Sequence, residues 1–337
     1  MESQESELFE HFRVVADKGQ DPLRVDKFLL NRLEGTSRNK IQQASSDGFI
    51  RVNDKAVKSN YKVKPLDVVT VMFTNPPREI ELIPQDIPLD IVYEDQDVVI
   101  VNKKAGMVVH PGYGNYKDTL VNALSYHFKD LPSADGDNTR PGLVHRIDKN
   151  TTGLMIIAKN EQSLQSLSSQ FFERSIERKY HALVWGNFDN DEGTIVGHIG
   201  RSLKNRKVMA VFPNGEFGKH ATTHYKVMER FGYVTLVECK LETGRTHQIR
   251  VHFKHIKHPL FNDYEYGGDK ILKGTTFTKY KQFVDNCFKL IPRQSLHAKS
   301  LAFSHPRTNE RLFFDSDLPS DMSQAIEKWR HYAKHKL

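Results

Sequence analysis

From Leu89 onward the chain is cut into apolar runs of strand length, not helix length. DVVIVNK, GLMIIAK, YHALVWG, TTHYKVMER and YVTLVECKLETG are each bounded by turn residues or charge, which is the signature of short strands. TLVNALSYHF and EQSLQSLSSQFF interrupt them with helical spacing. Strands outnumber helices and come in neighbouring pairs, so the expected class is α+β: a mixed α/β domain over residues 89–330 with a largely antiparallel central sheet. No repeat or low-complexity tract competes with this reading.

The first part of the chain parses separately. Residues 1–20 are polar and acidic at the start and are expected to be flexible. Asp21 with Pro22 is a helix start, Val25, Phe28, Leu29 and Leu33 follow at helical spacing, and Gly35 is the expected stop. Ser37 caps a second helix, Arg38 to Ser46, which Gly48 ends. FIRVN, a turn at Asn53-Asp54, AVK and DVVTVMF then make three short strands. Residues 21–75 thus form a small module, and the proline-rich stretch Asn75 to Pro88 reads as the linker, 76–88.

Charge is concentrated in that module. Between Arg24 and Lys64 stand ten Lys/Arg (24, 27, 32, 38, 40, 51, 55, 58, 62, 64) and four acids (26, 34, 47, 54), a surplus of six out of a net +7. Clustered positive charge on one small unit suits a phosphate backbone, although a solvated basic face would look the same by composition alone.

Several classes are excluded or disfavoured. Two cysteines, Cys239 and Cys287, allow neither a disulfide framework nor a four-cysteine zinc site, which fits a reducing cytoplasm. The N-terminus is not that of a secretory signal, and no apolar run approaches the roughly 20 residues of a membrane span, so no membrane partner is expected. Gly112 to Gly114 lacks the third glycine of a dinucleotide loop, and no phosphate loop ending in Gly-Lys-Ser/Thr occurs. His252, His255 and His258 recur three apart without a neighbouring cysteine or acid, so they read as a basic helix face and no metal is expected. In the same stretch, Thr246 is the expected cap of a helix burying Ile249, Phe253 and Ile256, with His247, Arg250 and Lys254 on another face.

The stretch LVHRIDKNTTGLMIIAKN, Leu143 to Asn160, runs a crowded polar loop into a short apolar strand. Loops of this kind carry chemistry, and Asp148 stands in it between Arg146 and Lys149. A lone aspartate there is by default a cap or a surface ion pair.

HRIDKNTTGLMIIAKN resembles the signature of the RluA-type pseudouridine synthases. NKKAGMVVHPG with TLVNAL, RKYHALVWG, GKHATTHYKV, LETGRTHQIRVH, DYEYGG and LHAKSLAFSHP match further motifs of that family in order, over roughly residues 88–315. Ile147, Thr152 and Lys104 depart from the usual leucine, serine and proline. The pattern RVDKFL, SRNKIQQ, GFIRVND and VKPLDVV resembles the small RNA-binding module known as the S-four domain, and that architecture is common in the RluC/RluD branch.

The resemblance implies an isomerase that needs no cofactor. Its catalytic carboxylate would be Asp148, acting as a nucleophile or as a base on a glycal-like route. Arg250 would pair with Asp148, and Tyr180 would stack on the uracil and take part in proton transfer. Arg146 would fill the space left by an extruded nucleotide. His145 would shape the loop, with Thr151 and Thr152 holding the turn through hydroxyl-to-backbone bonds. His247 joins the substrate-binding set, as do Arg24, Lys27, Arg38, Lys40 and Arg51 of the module. The expected substrate is large-subunit ribosomal RNA, of the RluD type before an RluC-type set or tRNA. The ribosome or its assembly intermediate is the expected partner, and the expected state is a monomer. Two rival classes remain open at this level: a non-catalytic ribosome-assembly binder and a metal-dependent RNA hydrolase.

Overall fold

A computed structural model describes residues 8–33, 36–74, 82–112, 115–133, 140–205 and 208–336. The chain divides into two compact units, residues 1–81 and 82–337.

The first unit contains β1 (Phe9–Val15), β2 (Leu23–Arg24), α1 (Val25–Leu30), α2 (Arg38–Ser46), β3 (Ile50–Val52), β4 (Lys55–Ala56), β5 (Lys62–Val63) and β6 (Val68–Phe73). Its four-stranded sheet has the order β1-β6-β3-β4, and β2 pairs with β5. Val25, Phe28, Leu29, Ile41, Ile50, Val52, Val63, Val69 and Val71 form its core. Ser37 caps α2 by accepting the Lys40 amide, as its position before the helical pattern implies.

Three expectations need correction here. Residues 9–15 are not a flexible tail but an edge strand, antiparallel to β6 from Phe9↔Phe73 to Val15↔Val68. The first helix begins at Val25, not behind Pro22, because Leu23 and Arg24 are drawn into a ladder with Val63 and Lys62. Its expected stop, Gly35, lies outside the described residues, and the helix already ends at Leu30. Residues 76–81 of the expected linker are likewise outside the described residues. Residues 82–88 belong to the second unit: Leu82 packs on its core, and Gln85 bonds both Asp118 and the Asn122 carbonyl.

The second unit comprises β7 (Ile91–Glu94), β8 (Val98–Lys103), α3 (Leu120–His127), β9 (Thr152–Ala158), α4 (Glu161–Phe172), β10 (Glu177–Trp185), β11 (Glu192–Arg201), β12 (Met209–Phe212), β13 (Lys219–Arg230), β14 (Val234–Leu241), α5 (Gln248–His255), α6 (Thr278–Leu290), β15 (Leu296–Ser304), β16 (Arg311–Asp315) and α7 (Ser320–Lys336). One ten-stranded sheet runs β12-β11-β13-β14-β10-β15-β9-β8-β7, with β16 on β15. Its pairs are antiparallel except β15 with β9. The mixed, mostly antiparallel expectation is therefore met.

β9 is buried along its whole length, which explains why its sequence, Thr152 to Ala158, is continuously apolar after the first two residues. Gly153 is required where β9 meets β15. It has φ +115°, and a Cβ there would stand 2.3 Å from the Ala298 carbonyl oxygen. The loop that precedes β9 is thereby delivered to the sheet centre, against β10 and β15.

Candidate active site

The polar loop before β9, the inner face of β10 and the first turn of α5 line one cleft of about 660 Å³. Asp148, Tyr180, His247 and Arg250 all face it, as do His145, Arg146 and Thr151.

Arg250 is 2 % exposed, and its guanidinium is almost completely used. Nε and Nη2 donate to the two oxygens of Asp263 at 2.7 and 2.9 Å, a bidentate pair, and Nη2 also reaches Glu265. That leaves Nη1, which donates to Asp148 Oδ2 at 3.2 Å. Burial works against the charge on Arg250, but the bond to Asp263 and the charges of Asp263, Asp148 and Glu265 outweigh it and hold the guanidinium above its ordinary range. The carboxylate of Asp148 is thus held by a cation that cannot leave, with its other oxygen open to the cleft.

His247, the residue just before α5, is in the left-handed conformation, φ 55°. The expected Thr246 cap does not form. Instead the Gln248 side chain accepts from the Arg245 amide and from the Thr243 hydroxyl, so the turn is organised from inside the helix. The Tyr266 hydroxyl accepts the Met209 amide and meets His247 Nδ1 at 2.8 Å. Burial lowers the histidine below its usual value, the Asp148 charge opposing, and burial raises Tyr266. The Tyr266 hydroxyl and Nδ1 thus share one hydrogen bond, and Nε2 faces Asp148 Oδ1 at 4.0 Å.

Tyr180 is 6 % exposed on β10, between Cys239 and Ala298. Burial raises its phenol, reinforced by Asp148 against the opposing effect of Arg178, so the hydroxyl stays protonated in the cleft wall. Arg146 is exposed, with Nη1 3.0 Å from His110 Nε2. His145 turns inward: its Nε2 accepts the Ile156 amide at 3.0 Å, its ring stacks on Phe171 at 4.8 Å, and burial lowers it to about 3. The threonines do hold the turn, but not by the expected hydroxyl-to-backbone bonds. Thr152 Oγ1 meets His297 Nδ1 at 2.9 Å, and Thr151 Oγ1 accepts from Gln294 at 3.4 Å, so both tie the loop to β15 and the residues just before it.

Residue-level reading missed three groups. Lys103 ends β8 fully buried, its ammonium donating to the carbonyls of Lys104, Met107 and Lys149. It staples the NKKAG turn to the residue after Asp148. Burial lowers it to about 7, with Asp148 opposing. Asp263 and Glu265 lie in the DYEYGG stretch, whose spacing shows one aspartate but gives no sign that it faces an arginine 13 residues earlier.

In the first unit, the basic residues fall into two kinds. Arg24 and Arg38 both pair at 3.0 Å with Asp26, which is completely buried, and Gln42 adds a third bond. Those three bonds outweigh the burial that would otherwise raise Asp26, and its carboxyl stays well below the ordinary range. The two arginine side chains remain 39 % and 43 % exposed, both held on Asp26 Oδ2. Lys27 and Lys40 are exposed and Arg51 is half-buried.

The histidine triplet does not converge as metal ligands. His252 bonds Thr223, and His258 bonds the Trp185 carbonyl. Asp95, Asp97 and His305 do lie within ligand distance of one another, but Arg307, Asn160, Tyr93 and backbone amides already occupy the two carboxylates.

Residues 97–255 match the sequence family described as RNA pseudouridylate synthase, and residues 23–69 match the S4 domain. A Chlorobaculum parvum protein named as an uncharacterized RNA pseudouridine synthase is 48 % identical over 93 % of this chain and 96 % of its own. The ribosomal large subunit pseudouridine synthase D of Zymomonas mobilis is 40 % identical over 89 % of this chain and 91 % of its own. Among solved structures, human RNA pseudouridylate synthase domain containing 4 has a similar fold, with a TM-score of 0.53 at 23 % identity over 71 % of this chain and 92 % of its own.

Proposed function

The chain belongs to the RNA pseudouridylate synthase family, and on that premise we propose that it isomerises uridines of large-subunit ribosomal RNA with Asp148 as the catalytic carboxylate. The observation that carries the role of Asp148 is its position: an open carboxylate in the cleft, anchored through one oxygen by the immobile Arg250.

Pseudouridine formation breaks the bond between N1 of uracil and C1′ of the ribose, turns the base and joins C5 to C1′. The C5 proton goes to solvent and N1 gains one, so nothing is oxidised and no cofactor is consumed. Asp148 serves this at the sugar-base junction, either by adding to C1′ or by taking the 2′ proton on a glycal route. Tyr180 provides a protonated phenol and an aromatic face beside it. Arg146, exposed at the rim, takes the place of the extruded nucleotide. His247 stands with Nε2 4.0 Å from the same carboxylate, while His145, Thr151 and Thr152 keep the loop in place.

The substrate assignment rests on relatives. The proteins of Zymomonas mobilis, Neisseria meningitidis and Vibrio cholerae named ribosomal large subunit pseudouridine synthase D are 39–40 % identical over most of this chain. The S4-type unit supplies a second RNA contact through Arg24, Lys27, Arg38, Lys40 and Arg51, and two tethered contacts favour a large structured RNA. We place the enzyme in the cytoplasm as a monomer, acting on the large subunit or its assembly intermediate at the helix 69 loop, where an unpaired base costs less to flip. The test is primer extension after carbodiimide treatment, on ribosomal RNA from cells with and without the gene. Loss of the helix 69 stops is expected. Their persistence, with no second synthase acting there, overturns the substrate assignment.

A further inference from the structure

Helix α4 carries a residue that its own packing does not need. Leu164, Leu167 and Phe171 follow the helical period and face the core between α4 and the sheet. Phe171 also stacks on His145 and lies 5.1 Å from the Arg178 guanidinium, so it belongs to the support of the Asp148 loop. Phe172, one residue on, points off that stripe and is 89 % exposed, the highest value among the exposed large hydrophobic side chains described. It nonetheless lines the same cleft as Asp148 and Tyr180. Burial elsewhere in the fold does not account for a phenylalanine at this position.

Its surroundings define what could cover it. Arg174, two residues later, sits in the left-handed conformation at φ 62°, which ends the helix and turns its guanidinium to the same rim. That guanidinium has a long, half-exposed ion pair with Glu242 at 3.7 Å, worth little in water and easily exchanged for a phosphate. Arg146 and Arg245 line the cleft as well. An exposed aromatic face among arginines matches one ligand chemistry best: an unpaired nucleobase with its phosphate. Tyr180 is deep in the wall beside Asp148, so the uridine undergoing reaction is taken there and Phe172 is left for another base.

Resting on the RNA synthase reading, we propose that Phe172 is a stacking platform for an unpaired base next to the target uridine, with Arg174 receiving the adjoining phosphate. The site would select loop sequences by holding the neighbour open while the target is extruded.

The test uses the full chain, protein-free large-subunit rRNA transcribed with 5-tritiated uridine, and the variants Phe172→Leu and Phe172→Trp. Aromatic stacking predicts that F172L raises KM roughly 5- to 100-fold with most of the loss in KM and not kcat, and that F172W stays near the wild type. Leucine performing like phenylalanine, or leucine and tryptophan failing alike, overturns the platform. Filter binding of the same transcript is run in parallel. If the wild-type enzyme releases no tritium, the synthase reading on this RNA fails. The affinity ratio of wild type to F172L still decides the platform: a ratio near one rejects it, and a ratio above about five upholds it.

Discussion

Arg250 reaches Asp148 through one nitrogen, Nη1 at 3.2 Å, while its other two nitrogens are held by Asp263. The carboxylate is therefore fixed by a group that is itself fixed. Replacing Asp148 with Asn keeps the shape of the loop and removes the charge that Arg250 pairs with and that the proposed reaction requires. Tritium release is expected to fall below detection while RNA affinity changes by less than about tenfold, or 1.4 kcal/mol. Turnover by an asparagine enzyme free of deamidation would remove Asp148 from the mechanism.

Asp263 sets the orientation of Arg250, so Asp263→Asn tests the anchor and not the carboxylate. Breaking one arm of a buried ion pair costs about 3–5 kcal/mol when the charge is left uncompensated, and the remaining bond to Glu265 places the loss toward the lower figure. The expected enzyme melts earlier and has a kcat reduced roughly tenfold or more with KM little changed, because Nη1 no longer has one position. Full kcat in a folded variant would show that Asp263 does not set the position of Nη1.

Tyr180→Phe keeps the ring and deletes the hydroxyl. The phenol is protonated and buried beside Asp148, which suits proton transfer as well as stacking. Turnover is expected to collapse with binding intact, measured by single-turnover tritium release and filter retention. An unchanged rate would leave only the stacking role.

Much of this site was legible because its parts are local in sequence. The loop from His145 to Gly153 and the strand after it form a polar-to-apolar junction that needs no partner to be seen. Ser37 before α2 carries its own cap. What escaped depends on pairings between distant residues. FEHFRVV alternates imperfectly and is only half covered, so Phe9–Val15 looks like a tail until β6 lies beside it. Pro22 signals a helix start, yet the ladder of Leu23 and Arg24 with β5 wins. Thr246 has the chemistry of a cap, but Gln248 reaches back and satisfies the turn first. Lys103 and Asp263 read as ordinary charges because nothing local distinguishes a buried lysine caged by carbonyls from an exposed one.

Acid should unfold the protein through its buried histidines. Burial lowers His145 to about 3, and His252 and His297 to about 4, against an ordinary value near 6.5. His145 Nε2 accepts the Ile156 amide, so a protonated ring would set two donors face to face. Between those values and pH 6.5 the unfolded chain binds more protons than the folded one. Stability is then fully present above pH 6.5 and declines as pH falls toward 4. Thermal melts from pH 7.5 to 4.5 are expected to show a steep fall in Tm, made shallower by His252→Asn. A flat profile would mean these rings are charged in the folded protein.

Removing residues 1–81 tests whether the basic unit touches RNA. The cut falls where the chain divides, and the remaining unit keeps its own sheet and core, so a folded protein is expected. The excised unit holds Arg24 and Arg38 fixed on the buried Asp26 yet still 39 % and 43 % exposed, with Lys27 and Lys40 exposed beside them in sequence. Each phosphate these cations neutralise releases counterions, and affinity then falls with salt in proportion to their number. Truncation should therefore weaken binding to ribosomal RNA and make the plot of log affinity against log salt shallower, by about one unit for each phosphate that the unit had neutralised. Tritium release should persist at saturating RNA, because Asp148, Tyr180 and Arg250 all lie in the part retained. An unchanged salt slope would show that the basic residues between Arg24 and Lys64 face only solvent.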